Sequence, residues 1–383
     1  MQLYVHIPFC RQKCRYCAFV SFAGQEAQKE KYVELLLKEA DNRNNEFTEE
    51  IRTMFIGGGT PSLLTPEQLA YLTAGLSARL PAERLNEFTI EANPGTVTKQ
   101  WMSAAVKAGM NRLSLGMQAF QPELLAVLGR IHQYHEVAES VKLARAYGIE
   151  NINIDLIFGI PGQTLEQWKE TLKAALALDP VHISAYGLIP EENTPMNEDL
   201  ESGALTLPDP DLEREMYDTA ISELSRHGMR QYEVSNFARP GFECRHNIGY
   251  WKQVPYAGLG ISAASMEVLQ RGNEGMICRR RTNPGDFTAY EQMANSSGKP
   301  AEETLVLPAE SRFETLMLGL RMNDGVDENE FEKMHGTPLD MIYGEKLRKF
   351  ESQGLMIHSG HAWKLTRRGF DIQNSILVEF MED

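Results

Sequence analysis

The sequence predicts an α/β protein. Its N-terminal part is expected to form an open or partial (β/α)6 barrel of TIM-like type, and its C-terminal part an α+β domain of winged-helix-like type. In the first half, short runs rich in Ile, Val, Leu and Phe alternate with amphipathic helical segments, which is typical of a parallel sheet covered by helices. Towards the C-terminus, helices precede a short hairpin. We therefore expect a barrel core at 1–200, a helical and irregular extension at 201–300, and the C-terminal domain at 301–383.

Six β/α units in a row account for the predicted barrel. Two of the intervening helices begin with a capping box, since Thr65 and Thr164 are each followed three residues later by a glutamine. Pro66 occupies the first helical position, where its missing N–H costs nothing. The predicted strands are Leu3–Ile7, Arg52–Ile56, Glu87–Ala92, Arg112–Gly116, Asn151–Phe158 and Val181–Leu188.

The second half of the chain has a different pattern. Leu212–His227 is predicted to be an amphipathic helix, and the Gly- and aromatic-rich stretch 232–265 is expected to be irregular. From Leu307 onward, two or three helices are expected before a hairpin at Leu355–Leu365 and a last helix near 369–381.

The unusual residues of the first half follow the ends of the predicted strands. A cysteine-rich loop follows the first strand and Gly57–Pro61 follows the second. Glu91 closes the third strand, Gln118 follows the fourth, and Asp155 lies in the fifth. Because parallel α/β sheets keep their chemistry at the carboxyl ends of the strands, we expect these residues to share one rim.

Three cysteines, Cys10, Cys14 and Cys17, have the spacing C-x3-C-x2-C. A cubane iron–sulfur cluster is usually held by four thiolates, so three ligands would leave one iron open to a small molecule. Structural zinc is the alternative, but it prefers four ligands in two pairs, and Cys244 and Cys278 are both distant. An odd number of cysteines in a chain of this length also argues against a disulfide framework.

Composition and charge exclude several classes of function. Apolar residues make up 42% and charged residues 24% of the chain, as in ordinary globular proteins. No apolar run is long enough to span a membrane, and no secretory signal is evident. The formal charge of −15 argues against binding to a nucleic-acid backbone, so the basic run 279–281 is expected to be a solvated surface turn. Cluster thiolates need a reducing compartment, which predicts the cytoplasm.

The run His6-Ile7-Pro8-Phe9-Cys10, the cysteine triplet and Gly57–Pro61 resemble the radical S-adenosylmethionine superfamily. Within it, the chain is similar to the branch that contains oxygen-independent coproporphyrinogen III oxidase and related haem chaperones. This resemblance implies a radical SAM barrel whose [4Fe–4S] cluster is held by the three cysteines. Its open iron would bind S-adenosylmethionine, which one-electron reduction cleaves to methionine and a 5′-deoxyadenosyl radical.

The resemblance also implies the residues that contact the cofactor. Glu91 would meet an ammonium or sulfonium group, Asp155 the ribose hydroxyls, and Arg130 the cofactor carboxylate. Backbone groups of the glycine loop would approach the methionine part without hindrance from a Cβ. The full implied set is Tyr4, Gly58, Gly59, Thr60, Glu91, Gln118, Arg130 and Asp155. Taken singly, each is more often a structural residue.

Two departures separate the chain from the oxidases of this branch. They carry a further cysteine two residues after the triplet, where this chain has Phe19, and an N-terminal extension where only three residues precede Tyr4. The run that begins at His246 instead matches the H-N-x-x-Y-W motif of the haem chaperones. It implies a haem site made of His246, Asn247, Tyr250 and Trp251, with His246 as axial ligand. Alternatively, His246 and the aromatic residues simply pack, and Cys244 is a second possible ligand.

These features favour a haem chaperone that binds haem and transfers it to acceptor haemoproteins. An electron donor such as a flavodoxin or ferredoxin and transient contact with a membrane surface are further expected partners, whereas nucleic acid is not. One alternative is a radical SAM oxidoreductase acting on a porphyrinogen such as coproporphyrinogen III. The other is a regulatory or binding module whose cluster is only structural.

Overall fold

The fold is built around one large sheet. The computed structural model describes residues 1–47, 49–82, 84–272, 275–296 and 299–381. Its strands, in chain order, are β1 (Gln2–Ile7), β2 (Phe9–Cys10), β3 (Phe22–Ala23), β4 (Thr53–Gly58), β5 (Glu87–Ala92), β6 (Arg112–Gln118), β7 (Asn151–Phe158), β8 (His182–Gly187), β9 (Arg230–Gln231), β10 (Asn236–Ala238), β11 (Tyr256–Leu259), β12 (Ala264–Gln270), β13 (Ile277–Thr282), β14 (Glu302–Val306), β15 (Val326–Asp327), β16 (Met356–Ser359) and β17 (Ala362–Leu365).

Helices connect these strands, and those between β1 and β8 cover one face of the sheet. They are α1 (Lys29–Asn42), α2 (Pro66–Arg79), α3 (Lys99–Lys107), α4 (Pro122–Leu128), α5 (Tyr134–Ala146), α6 (Leu165–Leu176), α7 (Pro195–Glu201), α8 (Pro210–Arg226), α9 (Arg245–Trp251), α10 (Phe287–Ser296), α11 (Pro308–Gly319), α12 (Glu328–His335), α13 (Leu339–Ser352), α14 (Arg367–Asp371) and α15 (Gln373–Val378). Among the helices of the described residues, none is long and apolar enough to cross a membrane.

Six central strands run parallel in the order β1-β4-β5-β6-β7-β8, each beside the next along the chain. This is the predicted arrangement of β/α units, and it confirms the fold class. All six predicted strands are present, with ends displaced by no more than about two residues. The capping boxes predicted at Thr65 and Thr164 both form.

The two faces of the sheet differ because successive side chains of a strand point to opposite sides. On β1, Leu3, Val5 and Ile7 are fully buried in the core beneath the helices. Tyr4 and His6 lie on the other face, where they line an open cavity. The helix-covered face therefore forms the core that stabilises the fold. The opposite, concave face carries the side chains that line the cavity and could contact a ligand.

The stretch 232–265 is not irregular, which corrects the prediction. It contains β10, α9 and β11, and β11 pairs in parallel with β1 and extends the sheet. Beyond it, β12, β13 and β14 continue the sheet as antiparallel neighbours. These elements are short, between three and seven residues. Elements this short contain too few residues to show a clear hydrophobic periodicity in the sequence, and they are stable only beside their neighbours in the fold.

The run 279–281 is also not a surface turn, because it lies within β13. Its three arginines are half-buried, and each is paired with a carboxylate. The guanidinium of Arg280 donates two hydrogen bonds to Glu314, at 2.7 and 2.6 Å. Pairing of this kind, rather than exposure to solvent, accounts for three adjacent cations in a strand.

The C-terminal part has the order β15-β17-β16 in a small antiparallel sheet, packed against α11, α12 and α13 around Leu316, Phe331 and Leu347. This agrees with the winged-helix-like prediction, and the predicted hairpin is formed by β16 and β17. The prediction of a single last helix near 369–381 was wrong in detail, because this part of the chain forms two short helices, α14 and α15, which meet at Ile372.

Candidate functional site

A cavity of about 400 Å³ opens at the carboxyl ends of the parallel strands. Cys10, Cys14 and Cys17 line it, as the shared-rim argument predicted. Seven of the residues expected to contact the cofactor line the same cavity: Gly58, Gly59, Thr60, Glu91, Gln118, Arg130 and Asp155. These residues come from four different strands and their following loops, so only the fold brings them together.

The cysteine loop is held at both ends. Cys10 ends β2, which pairs with β3 across the loop. His6 donates from Nε2 to the carbonyl oxygen of Val20 at 2.8 Å and accepts at Nδ1 from the hydroxyl of Tyr4 at 2.9 Å. Burial lowers the pKa of His6, so the imidazole is neutral and this arrangement of its proton is fixed. His6 therefore ties the end of the loop to β1.

The donor set fits an iron–sulfur cluster. The three thiols are half-buried and none forms a disulfide. Across the described residues, no three His, Cys, Asp or Glu side chains converge closely enough to hold one metal ion. The three thiols line one cavity, and thiolate sulfur is the ligand that iron–sulfur clusters use.

The glycine loop after β4 needs its glycines. Gly58 has a φ of +106°, and a Cβ there would lie 2.4 Å from the ring of His6. A Cβ on Gly59 would lie 2.8 Å from the carbonyl oxygens of Ile7 and Phe9. The loop is thus packed directly against the start of the cysteine loop, and its backbone forms part of the cavity wall.

Two carboxyl groups, those of Glu91 and Asp155, line the cavity. Burial, and secondarily the charge of Asp155, raise the pKa of Glu91 to about 7, although the amide of Gly58 donates to Glu91 Oε2 at 3.0 Å. Asp155 accepts hydrogen bonds from Ser114 at 2.9 Å and Asn153 at 2.8 Å. A cationic ligand would favour the ionised form of Glu91 and relieve the repulsion between the two carboxylates.

Arg130 lies beside the cysteines. Its Nη1 donates to Cys14 Sγ at 3.5 Å, and its Nη2 donates to Gly116 O and Asn93 Oδ1, both at 2.7 Å. Nη2 is thus already engaged by protein acceptors, which limits how the side chain can also pair with a cofactor carboxylate. Gln118 has a φ of +63°, where β6 leaves its regular pairing with β7.

A second cavity of about 570 Å³ lies on the concave face of the sheet and shares Phe19, Glu91, Asp155 and Tyr186 with the first. Tyr4 lines this second cavity rather than the one with the cysteines. Its walls are rich in aromatic side chains: Tyr4, Phe19, Phe55, Tyr186, Tyr250 and Tyr256. Cavities of this size and character are typical of small-molecule sites.

The H-N-x-x-Y-W motif forms most of α9, which fills the floor of this second cavity. His246, Asn247 and Tyr250 line it. Both ring nitrogens of His246 are hydrogen-bonded, Nδ1 to Thr53 Oγ1 at 2.9 Å and Nε2 to the hydroxyl of Tyr250 at 3.0 Å. Burial lowers the pKa of His246 to about 3, so its imidazole is neutral.

Trp251 and Cys244 lie outside this cavity. The ring of Trp251 packs under the guanidinium of Arg321, 4.6 Å from its centre, between α9 and the C-terminal part. Cys244 is fully buried, donates to Glu87 at 3.4 Å, and has a pKa that burial raises to about 12. These are the positions of a packing aromatic residue and an inert buried thiol.

Several site residues were missed from the sequence. Phe19 and Tyr186, neither of them predicted as a site residue, line both cavities, and Ser114 donates to Asp155 at 2.9 Å. Glu87 accepts from the backbone N–H groups of Arg245 at 2.9 Å and His246 at 3.0 Å and so fixes the start of α9. Ser114 and Glu87 could have been found from the sequence, because alternate residues of a strand face the same side of the sheet. Ser114 shares its side with Gly116 on one strand, and Glu87 with Glu91 on another.

Comparison with known proteins agrees with this geometry. The sequence profile of the radical SAM superfamily matches residues 4–175, and that of the HemN C-terminal domain matches residues 306–372. In structure, the chain is similar to coproporphyrinogen III oxidase (HemN) from Escherichia coli, with a TM-score of 0.83 and 22% identity over 99% of this chain and 89% of that one. At this identity the likeness establishes the fold alone.

Sequence similarity is higher to another group. The heme chaperone HemW of Bacillus subtilis is 37% identical over 99% of this chain and 98% of its own length. That of Escherichia coli is 35% identical over 100% and 98%. A mitochondrial radical S-adenosyl methionine domain-containing protein 1 of Danio rerio is 31% identical over 98% and 85%. Identity at this level along the whole chain shows that it belongs to the radical SAM superfamily and, within it, to the HemW family.

Proposed function

We propose that this chain is a haem chaperone that binds haem and transfers it to acceptor haemoproteins. Its superfamily membership implies a [4Fe–4S] cluster and S-adenosylmethionine. The main support is that the cysteine cavity, which holds seven of the predicted cofactor residues, adjoins a second, aromatic cavity lined by the H-N-x-x-Y-W motif. The HemW relatives carry the name heme chaperone, which supports the same function.

In this proposal Cys10, Cys14 and Cys17 hold the cluster, which together with S-adenosylmethionine supplies one-electron chemistry. Glu91 and Asp155 would face the cationic cofactor, which favours the ionised form of Glu91, and the backbone N–H of Gly58 donates to the Glu91 carboxylate at 3.0 Å. Phe19 and Tyr186 line both cavities and so lie where the two proposed sites meet. A flavodoxin-like or ferredoxin-like donor would supply the electron to the cluster. The need of cluster thiolates for a reducing compartment supports a cytoplasmic location.

His246 is the proposed axial ligand of haem iron, with Asn247 and Tyr250 beside it and Trp251 supporting α9. A neutral imidazole is the form that ligates metals, and the low pKa of His246 keeps it neutral. Its Nε2 faces the hydroxyl of Tyr250, so ligation requires Tyr250 to release it. The cavity, rather than the protein surface, is therefore the proposed place for haem.

Anaerobic reconstitution followed by titration with haemin tests this function. We expect the wild type to give a Soret spectrum with saturable binding, and His246→Ala to bind more weakly with a changed spectrum. An unchanged spectrum and affinity in His246→Ala would remove His246 as the ligand. Failure of the wild-type holoprotein to bind haemin or to pass it to an apo-haemoprotein would refute the chaperone proposal.

The similarity of the fold to coproporphyrinogen III oxidase keeps an enzyme as the second candidate. In that case the chain would act on coproporphyrinogen III or a related porphyrinogen. Incubation of the reduced holoprotein with S-adenosylmethionine and coproporphyrinogen III would then give vinyl products. We expect none from the chaperone. A purely structural cluster predicts neither S-adenosylmethionine binding nor 5′-deoxyadenosine on reduction.

A further inference from the structure

A chain of hydrogen bonds joins two of the three cysteines through one amide side chain. Asn93, directly after β5, donates from Nδ2 to Thr60 Oγ1 at 2.7 Å and accepts at Oδ1 from Arg130 Nη2 at 2.7 Å. Thr60 then donates to Cys10 Sγ at 3.6 Å, and Arg130 Nη1 donates to Cys14 Sγ at 3.5 Å. The two sulfurs are therefore linked through Asn93.

The chemistry of the partners fixes the direction of every bond in this chain. A guanidinium can only donate, so the atom of Asn93 that faces Arg130 is its oxygen. The amide nitrogen then faces Thr60, whose hydroxyl accepts from it and has its own proton left for the sulfur of Cys10. Aspartate at position 93 would lack that donor, and an aliphatic residue would break both links.

We propose that Asn93 is a positioning residue that aims two donors at the sulfurs of Cys10 and Cys14 and thereby raises the reduction potential of the cluster they hold. The inference rests on the proposed cluster site. Hydrogen bonds to cluster sulfurs stabilise the reduced, more negative state, and the cationic donor Arg130 adds to this effect.

The backbone around this chain is fixed independently of the Asn93 side chain. The N–H of Asn93 donates to Ser62 Oγ at 3.2 Å, and its carbonyl accepts from Thr96 Oγ1 at 2.6 Å. On the other side, Gly116 leaves room for the network, since a Cβ there would lie 3.1 Å from Arg130 Nη2 and 3.4 Å from Asn93 Oδ1. Truncation of Asn93 should therefore remove the two links without displacing the loop.

The test is the midpoint potential of the reconstituted cluster without S-adenosylmethionine, followed by electron paramagnetic resonance during redox titration. We expect Asn93→Ala and Thr60→Val to shift the potential to more negative values. Thr60→Ser, which keeps the hydroxyl, should retain the wild-type value. Since both residues act in one chain, the Asn93→Ala/Thr60→Val double variant should shift by less than the sum of the single shifts.

Asn111→Ala is the matched control. Asn111 accepts from the backbone N–H of Phe88 at 2.8 Å, so it also supports β5 through one amide, but it has no link to a sulfur. Its potential should equal that of the wild type. A wild-type potential in Asn93→Ala would overturn the inference, whatever the potential of Thr60→Val. If Asn93→Ala does not retain a cluster, the Thr60→Val and Thr60→Ser pair decides alone. Absence of a cluster in the wild type would instead refute the proposed function.

Discussion

Gly58 is the position where one methyl group should do most damage to the cluster site. In Gly58→Ala, an L-residue would have to adopt a φ of +106°, which costs about 1–2 kcal/mol. The new Cβ would also lie 2.4 Å from the ring of His6. That ring is held by Tyr4 at 2.9 Å and Val20 at 2.8 Å, so it moves only by breaking a bond, and overpacking adds about 1–3 kcal/mol. We therefore expect the free energy of unfolding to fall by about 2–5 kcal/mol.

Gly148→Ala is the matched control for backbone strain. Gly148 has a φ of +84°, but a Cβ there would meet nothing within 4 Å. We expect it to lose only the strain contribution, about 1–2 kcal/mol. Urea unfolding of both variants gives the difference in their free energies of unfolding. Iron content after reconstitution reports whether the cysteine loop can still hold a cluster, and we expect it to fall only in Gly58→Ala. Equal destabilisation and equal iron content in the two variants would refute the reasoning.

Three further predictions concern the two cavities. Because the pKa of Glu91 is raised to about 7 from an ordinary 4.5, the folded protein holds its proton longer than the unfolded chain, so this residue's contribution to stability falls as pH rises from about 4.5 to 7. In urea unfolding, the free energy of unfolding of Glu91→Gln relative to that of the wild type should rise by up to about 3 kcal/mol over that range. A difference that stays constant with pH would contradict the raised pKa. Binding of S-adenosylmethionine, followed by calorimetry, should tighten through pH 7 in the wild type but not in Glu91→Gln. Tyr250→Phe removes the hydroxyl that is hydrogen-bonded to His246 Nε2, and such a bond contributes about 1 kcal/mol net. Haemin should therefore bind to this variant about fivefold more tightly. Weaker binding would mean that the Tyr250 hydroxyl itself contacts haem.

Much of the fold was predictable because the parallel strands are long and buried on one face under helices. The bounds of β5 and β7 were predicted correctly, and the helix after Thr65 began where its capping box placed it. The short elements of 232–265 were missed because each is stable only beside a neighbour, as β11 is beside β1. Arginines in β13 likewise gave no strand signal, since their glutamate partners come from distant parts of the chain.

The site shows the same division between local and tertiary information. The cysteine spacing and the strand-end positions of Glu91 and Asp155 are local, so the sequence predicted one shared cavity, and the structure brings these residues together. Hydrogen-bond partners are not local. That Arg130 donates to Cys14, that His246 has both nitrogens engaged, and that Trp251 packs outside the cavity each depend on residues far apart in the chain.

The sequence by itself therefore determined the type of fold, the triplet of thiols and the rim on which they lie, because strand periodicity and ligand spacing are short-range properties. Only the tertiary structure decided which atoms remain available for chemistry. It joined the cysteine cavity to an aromatic one, turned Asn93 into the link between two thiols, and placed the hydroxyl of Tyr250 on the nitrogen proposed to bind iron. Burial and the pairing of polar groups are properties of the packed molecule, since each needs partners that the chain supplies from many separate segments.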